Sequence, residues 1–352
     1  MPSGSSIPSW VARTLDACGG SYALRSLGDR CAIRRGGQWP PFRLRAGRPF
    51  QILIYHRVHQ RVRPFMLDTV DTVRFEAQMR HLARHYRPVG LTDLLDHAER
   101  GTVPPRAVAV TFDDGYRDNH GCAFPILAKY RIPATVFLVT GCIGTGESLW
   151  HDRVLFAFEH TRKASLRVPG RDDPVDLQSA AARETVALQT LERFKRMDET
   201  KRRSSVQALF VELDVDPASM PSDLMLDWDE ARQMAGAGIE IGSHTVTHPI
   251  LSRQTPEQVE WELSESKRTL EAELGRKAAL FAYPNGTPDD YTPSVIEAVR
   301  RTGYRCALTT SFGPNEAGDD PFLWRRGTPW EHDPARFSLK LALYRALEAG
   351  PA

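Results

Sequence analysis

The stretch VAVTFDDGYRD, residues 108–118, places two adjacent carboxylates at the end of an apolar run. The apolar residues predict a buried strand, and Gly115 predicts a turn directly after it. An Asx-type turn before a helix would account for one aspartate but not for two. Two neighbouring like charges need solvent, a cation or a catalytic role, so Asp113 and Asp114 are the first candidate functional residues.

Segments of strand length alternate with amphipathic helical segments on both sides of this stretch. Further strands are predicted in FQILIYHRV, IPATVFLVTG, IEIGSH, AALFAYP and YRCALTT. This alternation predicts βα units and a parallel sheet, in a barrel or a doubly wound fold. The segment 146–225 interrupts the alternation with several helical patterns, so we expect a helical insertion that caps or borders the site.

The composition excludes several classes of protein. With 41% hydrophobic and 26% charged residues the chain is typical of a soluble globular protein, and a net charge of +2 argues against a nucleic-acid binder. No apolar stretch approaches the roughly 20 residues that span a bilayer. The first residues lack the pattern of a secretory signal, and the five cysteines are scattered, so we expect a cytoplasmic protein with reduced thiols.

Residues 1–49 form a predicted basic extension, with eight arginines against Asp16 and Asp29. One interpretation is an arm that makes weak peripheral contact with an anionic surface such as the inner membrane. The alternative is a solvated, loosely packed extension, because the arginines are spread too widely for a polybasic cluster.

Polar residues follow several predicted strands at the point where each strand ends. His56 follows the first strand, Asp113 and Asp114 follow a second, and His244 with His248 follow IEIG. The carboxyl ends of parallel strands meet at one face of an α/β barrel, where active sites lie. We therefore expect these side chains to share one site.

His244 and His248 are four residues apart, which would place both imidazoles on one side of a helical turn. Two histidines and one carboxylate can hold a divalent ion and leave positions open for water and substrate. A dication would also cancel the repulsion between Asp113 and Asp114. One aspartate would then bind the ion while the other takes a proton from the attacking water.

The motifs TFDDGY, SHTVTH and FAYPNG together resemble the NodB-type polysaccharide deacetylase family, carbohydrate esterase family 4, over about residues 50–330. The resemblance implies an irregular (β/α) barrel over 50–345 and metal-dependent removal of N-acetyl groups from amino sugars. By the same resemblance Asp113 is the general base, and the metal ligands are Asp114, His244 and His248. Zinc is the expected ion, although the ligands also fit cobalt, nickel, manganese and iron.

The resemblance also assigns substrate contacts. The backbone N–H of Tyr116 would stabilise the oxyanion, and Tyr283, Pro284 and Gly286 would belong to the groove wall. The family's wall motif carries an arginine that holds the catalytic aspartate, where this chain has Ala282. Arg325 or Arg326 is expected to supply that charge.

Two histidines are candidates for the general acid. The family's usual C-terminal acid motif is absent, and the IYHRV segment resembles the permuted poly-N-acetylglucosamine deacetylase branch, in which the acid histidine lies on the first strand. That resemblance points to His56, and the competitor is His332 near the chain end.

The sequence therefore predicts a metal-dependent amide hydrolase with a carbohydrate substrate. The substrate could instead be a lipid-linked or small N-acyl or N-formyl amino sugar, and a non-catalytic carbohydrate-binding protein is the third reading. Trp228, Trp330 and Tyr283 are candidates for stacking on a sugar ring, with core packing as the alternative for each.

Overall fold

The computed structural model describes residues 49–167, 173–328 and 333–346. The predicted basic extension therefore lies outside the described residues, apart from its last position, as do His332 and Trp330. No helix within the described ranges is both long enough and apolar enough to cross a bilayer.

The described residues form eleven short strands and ten α-helices. The strands are β1 (Gln51–Tyr55), β2 (Arg57–His59), β3 (Thr69–Asp71), β4 (Arg87–Pro88), β5 (Ala107–Phe112), β6 (Ala134–Leu138), β7 (Ser165–Leu166), β8 (Val175–Asp176), β9 (Glu240–Ser243), β10 (Leu280–Ala282) and β11 (Cys306–Leu308). The helices are α1 (Thr72–His85), α2 (Leu91–Glu99), α3 (Phe124–Tyr130), α4 (Trp150–His160), α5 (Ala180–Lys195), α6 (Glu199–Leu213), α7 (Trp228–Gly236), α8 (Pro256–Leu274), α9 (Pro293–Arg301) and α10 (Pro334–Ala346).

The main sheet is parallel and confirms the predicted barrel class. Its strands run in the order β1-β5-β6-β9-β10-β11, with β4 also paired to β5. Every residue of β1, β5 and β6 is buried, as expected for parallel strands covered on both faces. Tyr55 pairs with Phe112 and Leu138 pairs with Ser243, so the carboxyl ends of four strands lie at one edge.

A short extended segment, Trp324 to Gly327, bridges the two outer strands of the curled sheet. Trp324 forms a parallel bridge with Leu308 of β11, and Gly327 forms one with Leu53 of β1. The Gly327 N–H donates to the carbonyl of Ile52 at 2.7 Å, and the Thr309 N–H donates to the carbonyl of Trp324 at 2.8 Å. This closing segment was not predicted as a strand, because four residues carry too little pattern.

Helix α1 shows how the sequence pattern produces packing. Asp71 accepts a hydrogen bond from the Arg74 N–H and caps the helix, and Phe75, Met79 and Leu82 are buried against the sheet. These three residues are four and three positions apart, which places them on one face of the helix, the face that packs on the core.

The inserted segment packs around an apolar cluster of its own. Helices α4, α5 and α6 contribute Phe158, Leu191 and Phe210 to this cluster. Phe65 and Leu67, which follow β2, pack into the same cluster. The insertion therefore fixes part of the loop that leaves the first strand, close to the carboxyl edge of the sheet.

Candidate metal centre and active site

A cavity of about 100 Å³ lies at the carboxyl edge of the sheet. Its wall combines side chains from four strand ends, namely His56, Asp113, Asp114, Tyr116, His244, His248 and Asn285. The structure thus brings together the predicted base, acid and metal ligands, which are separated by up to about two hundred residues in the sequence. Convergence of parallel strand ends is the cause.

The two aspartates point in different directions because the chain turns sharply between them. Asp114 and Gly115 both adopt left-handed backbone conformations, with φ of 75° and 85°. A Cβ on Gly115 would lie 2.7 Å from Leu138 Cδ2, so glycine is required at this turn. As a result Asp113 faces the closing segment while Asp114 faces the histidines.

The backbone after β9 is not helical, so the expected helical turn between His244 and His248 is wrong. Thr245 and His248 adopt φ of 69° and 58°. A buried carboxylate, Glu262 of α8, accepts hydrogen bonds from the N–H groups of Val246 and Thr247 at 2.7 and 3.0 Å. This contact folds the loop back on itself, and the two imidazole rings still lie 4.9 Å apart.

Asp114, His244 and His248 form a potential three-ligand metal site. Asp114 Oδ1 lies 3.6 Å from His244 Nε2 and 3.4 Å from His248 Nε2. His244 Nδ1 is 2.7 Å from the carbonyl oxygen of Ala282, which places the ring proton on Nδ1 and leaves Nε2 as the lone-pair nitrogen. Asp114 Oδ1 is buried and has no hydrogen-bond partner among the described residues.

The electrostatics of this trio fit a divalent cation. Burial lowers the pKa of His244 to about 4 and lowers that of His248 well below its usual value, so both imidazoles are neutral. Burial, with Asp113 and Asp152 nearby, raises the pKa of Asp114 well above its usual value. A bound dication would offset that penalty, and the unpaired Asp114 oxygen is a suitable ligand atom.

Asp113 is held ionised by a buried arginine of the closing segment. Arg326 Nη1 and Nη2 donate to the two carboxylate oxygens at 2.6 and 2.7 Å, and Nε donates to the carbonyl of Thr309 at 2.9 Å. Burial would raise the pKa of Asp113, but the charge and hydrogen bonds of Arg326 and the neighbouring His244 lower it overall. Asp113 is therefore available to accept a proton.

The charge comes from Arg326 and not from Arg325. Trp324 and Arg326 are 1% and 0% exposed, whereas Arg325 is half-buried. Side chains alternate along an extended segment, so Arg325 points away from Asp113. Its backbone N–H and carbonyl bond instead to the side-chain amide of Asn315.

His56 lines the same cavity as the histidine pair. It follows β1 directly, and its carbonyl accepts a hydrogen bond from Asn119 Nδ2 at 2.8 Å, which fixes the backbone at this point. Its ring nitrogen Nδ1 is buried without a partner in the described part of the chain. The structure thus places His56 beside the carboxylates, whereas the position of His332 is not described.

Tyr116 is clamped by residues that the sequence analysis did not select. Its hydroxyl lies 3.0 Å from Asp152 Oδ2 and 3.0 Å from His151 Nε2, and the Arg57 guanidinium lies 4.6 Å from the ring centroid. Burial raises the pKa of Asp152 to about 6 and lowers that of His151 to about 3. The sequence did contain a signal for these residues. A tryptophan, a histidine and an aspartate follow one another at the start of a helix, in the segment that was expected to border the site.

The groove-wall residues have mainly structural roles. Tyr283 is fully buried, stacks on Tyr291 with 4.5 Å between ring centroids and donates its hydroxyl to the carbonyl of Phe322, so the sugar-stacking expectation for it is wrong. Pro284 and Gly286 form a tight turn, in which the Gly286 N–H donates to the Pro284 carbonyl at 2.7 Å. Asn285 at the tip of this turn faces the cavity.

The other described stacking candidate, Trp228, packs against the core and lies outside the cavity wall. It is the first residue of α7 and is half-buried. Among the tryptophans of the described ranges, the cavity wall contains Trp150 instead.

Comparison with known proteins identifies the family of the chain. The family model for polysaccharide deacetylase matches residues 100–307. YxkH of Bacillus subtilis (strain 168) is 24% identical over 208 residues, which are 59% of this chain and 46% of that protein. The poly-beta-1,6-N-acetyl-D-glucosamine N-deacetylase of Staphylococcus aureus (strain MSSA476) is 38% identical over 77 residues, 22% of this chain and 27% of that protein.

The fold has a solved counterpart as well. The structure of IcaB from Ammonifex degensii superimposes with a TM-score of 0.56 at 22% identity, over 84% of this chain and 97% of that one. The chain matches less than half the length of both curated relatives.

Proposed function

The chain belongs to the polysaccharide deacetylase family, and from that membership we propose that it is a metal-dependent hydrolase that removes N-acetyl groups from an amino-sugar polymer. One observation carries the proposal. Asp113, kept ionised by buried Arg326, lies in the same cavity as the Asp114, His244 and His248 trio. A carboxylate base beside a three-ligand set for a metal ion is the arrangement that amide hydrolysis with an activated water requires.

The residues divide the chemical work between them. The ion, zinc in our proposal, would be held by Asp114, His244 and His248, and it would polarise the acyl carbonyl and lower the pKa of water. Asp113 accepts the proton of the water that attacks the acyl carbon. The Tyr116 N–H, which has no hydrogen-bond acceptor within the described ranges, donates to the oxyanion.

His56 completes the reaction as the general acid. Cleavage of the carbon–nitrogen bond leaves an amine that needs a proton, and His56 donates it from the cavity wall. The curated relative from Staphylococcus aureus is named for poly-beta-1,6-N-acetyl-D-glucosamine, and we propose the same class of polymer as the substrate here.

Metal dependence is tested by acetate release from β-1,6-linked N-acetylglucosamine oligomers. We expect chelation to abolish release and added zinc to restore it, because the trio supplies the ligands. His244→Ala should bind zinc at least a hundredfold more weakly and should not recover activity, since one of three ligands is gone. His97→Ala, a histidine on α2 outside the cavity, should behave like the wild type. Acetate release that is unaffected by chelation would exclude the metal.

The role of His56 is tested with two kinds of leaving group. His56→Ala should lower kcat for the amide substrate about a hundredfold, the scale of one general acid. An aryl acetate should be affected far less, because a phenolate leaves without protonation. His59→Ala is the neighbouring control, and His332→Ala tests the alternative acid. Equal losses on both substrates for His56→Ala would show a structural effect and not an acid role.

A further inference from the structure

A second and larger cavity adjoins the candidate active site. It has a volume of about 450 Å³ and lies between the insertion and the barrel loops. Trp150 belongs to the walls of both cavities. The two spaces are therefore neighbours that share Trp150.

The cavity at the metal centre is too small to hold an oligosaccharide. Its volume of about 100 Å³ is below the roughly 300–1,000 Å³ of ordinary ligand pockets, whereas the second cavity falls within that range. The smaller cavity suits the acyl group and its attachment point. The neighbouring sugar units of a polymer must then bind outside it.

The walls of the second cavity combine the barrel with the insertion. On the barrel side, the Gly141 N–H donates to the Val246 carbonyl at 2.9 Å, which ties one wall to the loop that carries His244 and His248. On the insertion side, the Arg202 guanidinium lies 4.7 Å from the Trp150 ring centroid and fixes one face of the indole. The cavity therefore lies next to the loop that carries two of the predicted metal ligands.

The charges in this second cavity balance. Arg153 lies 3.6 Å from Glu147. Arg203 shares α6 with the ion pair of Glu199 and the buried Arg202, and Glu262 also acts on Arg202. Three cations beside three carboxylates favour an uncharged ligand over a phosphate or a carboxylate. The amide of Gln207 and the guanidinium of Arg203 are polar groups on the cavity wall that can bond to hydroxyls, and an indole packs well on the apolar face of a sugar ring.

We propose that this second cavity binds the sugar unit adjacent to the one that is deacylated. The inference rests on the proposed function, and it assigns to the helical insertion the recognition of a neutral oligosaccharide. Longer substrates should consequently react faster than a single sugar, because only they reach both cavities.

Two variants of α6 test the assignment. For wild type, kcat/KM should be higher for an N-acetylglucosamine tetramer than for the monomer. In Arg203→Ala and in Gln207→Ala the ratio of the two kcat/KM values should fall about tenfold, the effect of losing one good hydrogen bond to the ligand. Lys201→Ala removes the same charge from an exposed position of α6 outside the cavity wall, and it should preserve the ratio.

Binding supplies a readout that needs no turnover. Calorimetry of the tetramer with the chelator-treated protein should give weaker binding for Arg203→Ala than for Lys201→Ala. The wild type could hydrolyse the substrate while both cavity variants keep its preference for the tetramer over the monomer. That result would overturn the inference and leave the proposed function intact. The wild type could instead bind the tetramer without hydrolysing it, and Arg203→Ala could weaken that binding. That result would support the cavity as the binding site and reject the proposed function. Binding that required a phosphate group on the oligomer would overturn the assignment to a neutral sugar.

Discussion

Asp113→Asn should lower kcat for acetate release by at least a thousandfold. The substitution keeps the shape of the side chain but removes the group that accepts the proton of the attacking water, and general bases contribute about a hundredfold to ten-thousandfold. The upper part of that range applies because Arg326 keeps the wild-type carboxylate ionised and oriented with two hydrogen bonds. Steady-state rates on the N-acetylglucosamine tetramer measure the effect.

Two controls separate lost chemistry from lost structure. The zinc content of Asp113→Asn should match that of the wild type, since the ligand atoms belong to Asp114, His244 and His248. Asp96→Asn removes a carboxylate that pairs with Arg305 at the surface, and it should leave kcat unchanged. A fully metallated Asp113→Asn with a rate within tenfold of wild type would contradict the assignment of the base.

The strand ends were the part of the site that the sequence could predict. His56, Asp113 and His244 each follow a short apolar run, and in a parallel sheet such positions meet whatever the distance between them along the chain. The meeting of these side chains follows from local patterns plus one topological rule.

Features that depend on contacts between distant parts of the chain could not be predicted from the sequence. The loop between the two histidines is folded by Glu262, a residue of α8, so local spacing suggested a helical turn that does not exist. The spacing was still informative, because two histidines only four residues apart in the sequence lie near one another in space in many backbone conformations.

The insertion shows the same limit. Trp150, His151 and Asp152 reach the site only because α4 packs beside α5 and α6 in a cluster that also holds Phe65. Helical periodicity predicts that such helices exist but not which end of each faces the barrel. The role of Arg326 likewise depends on a closing segment of four residues.

The second large effect concerns that arginine. Arg326→Gln should lower the free energy of unfolding at neutral pH by about 3–5 kcal/mol, the cost of leaving one buried charge without its partner. In the wild type Asp113 has a lowered pKa, so the pair contributes stability above the ordinary carboxylate value of 3.8, and the contribution is lost as the pH falls through the lower folded value.

In the variant the sign reverses, because burial then raises the pKa of Asp113 without an opposing arginine. The acidic limb of the pH–rate profile should move to higher pH, and the variant should lose less stability than the wild type on acidification. Denaturant titrations at two pH values and a pH–rate profile measure both effects. Arg325→Gln, on the adjacent half-buried side chain, should change stability by less than about 0.5 kcal/mol. If Arg326→Gln instead kept the wild-type acidic limb, the arginine would stabilise the barrel closure without setting the charge state of the base.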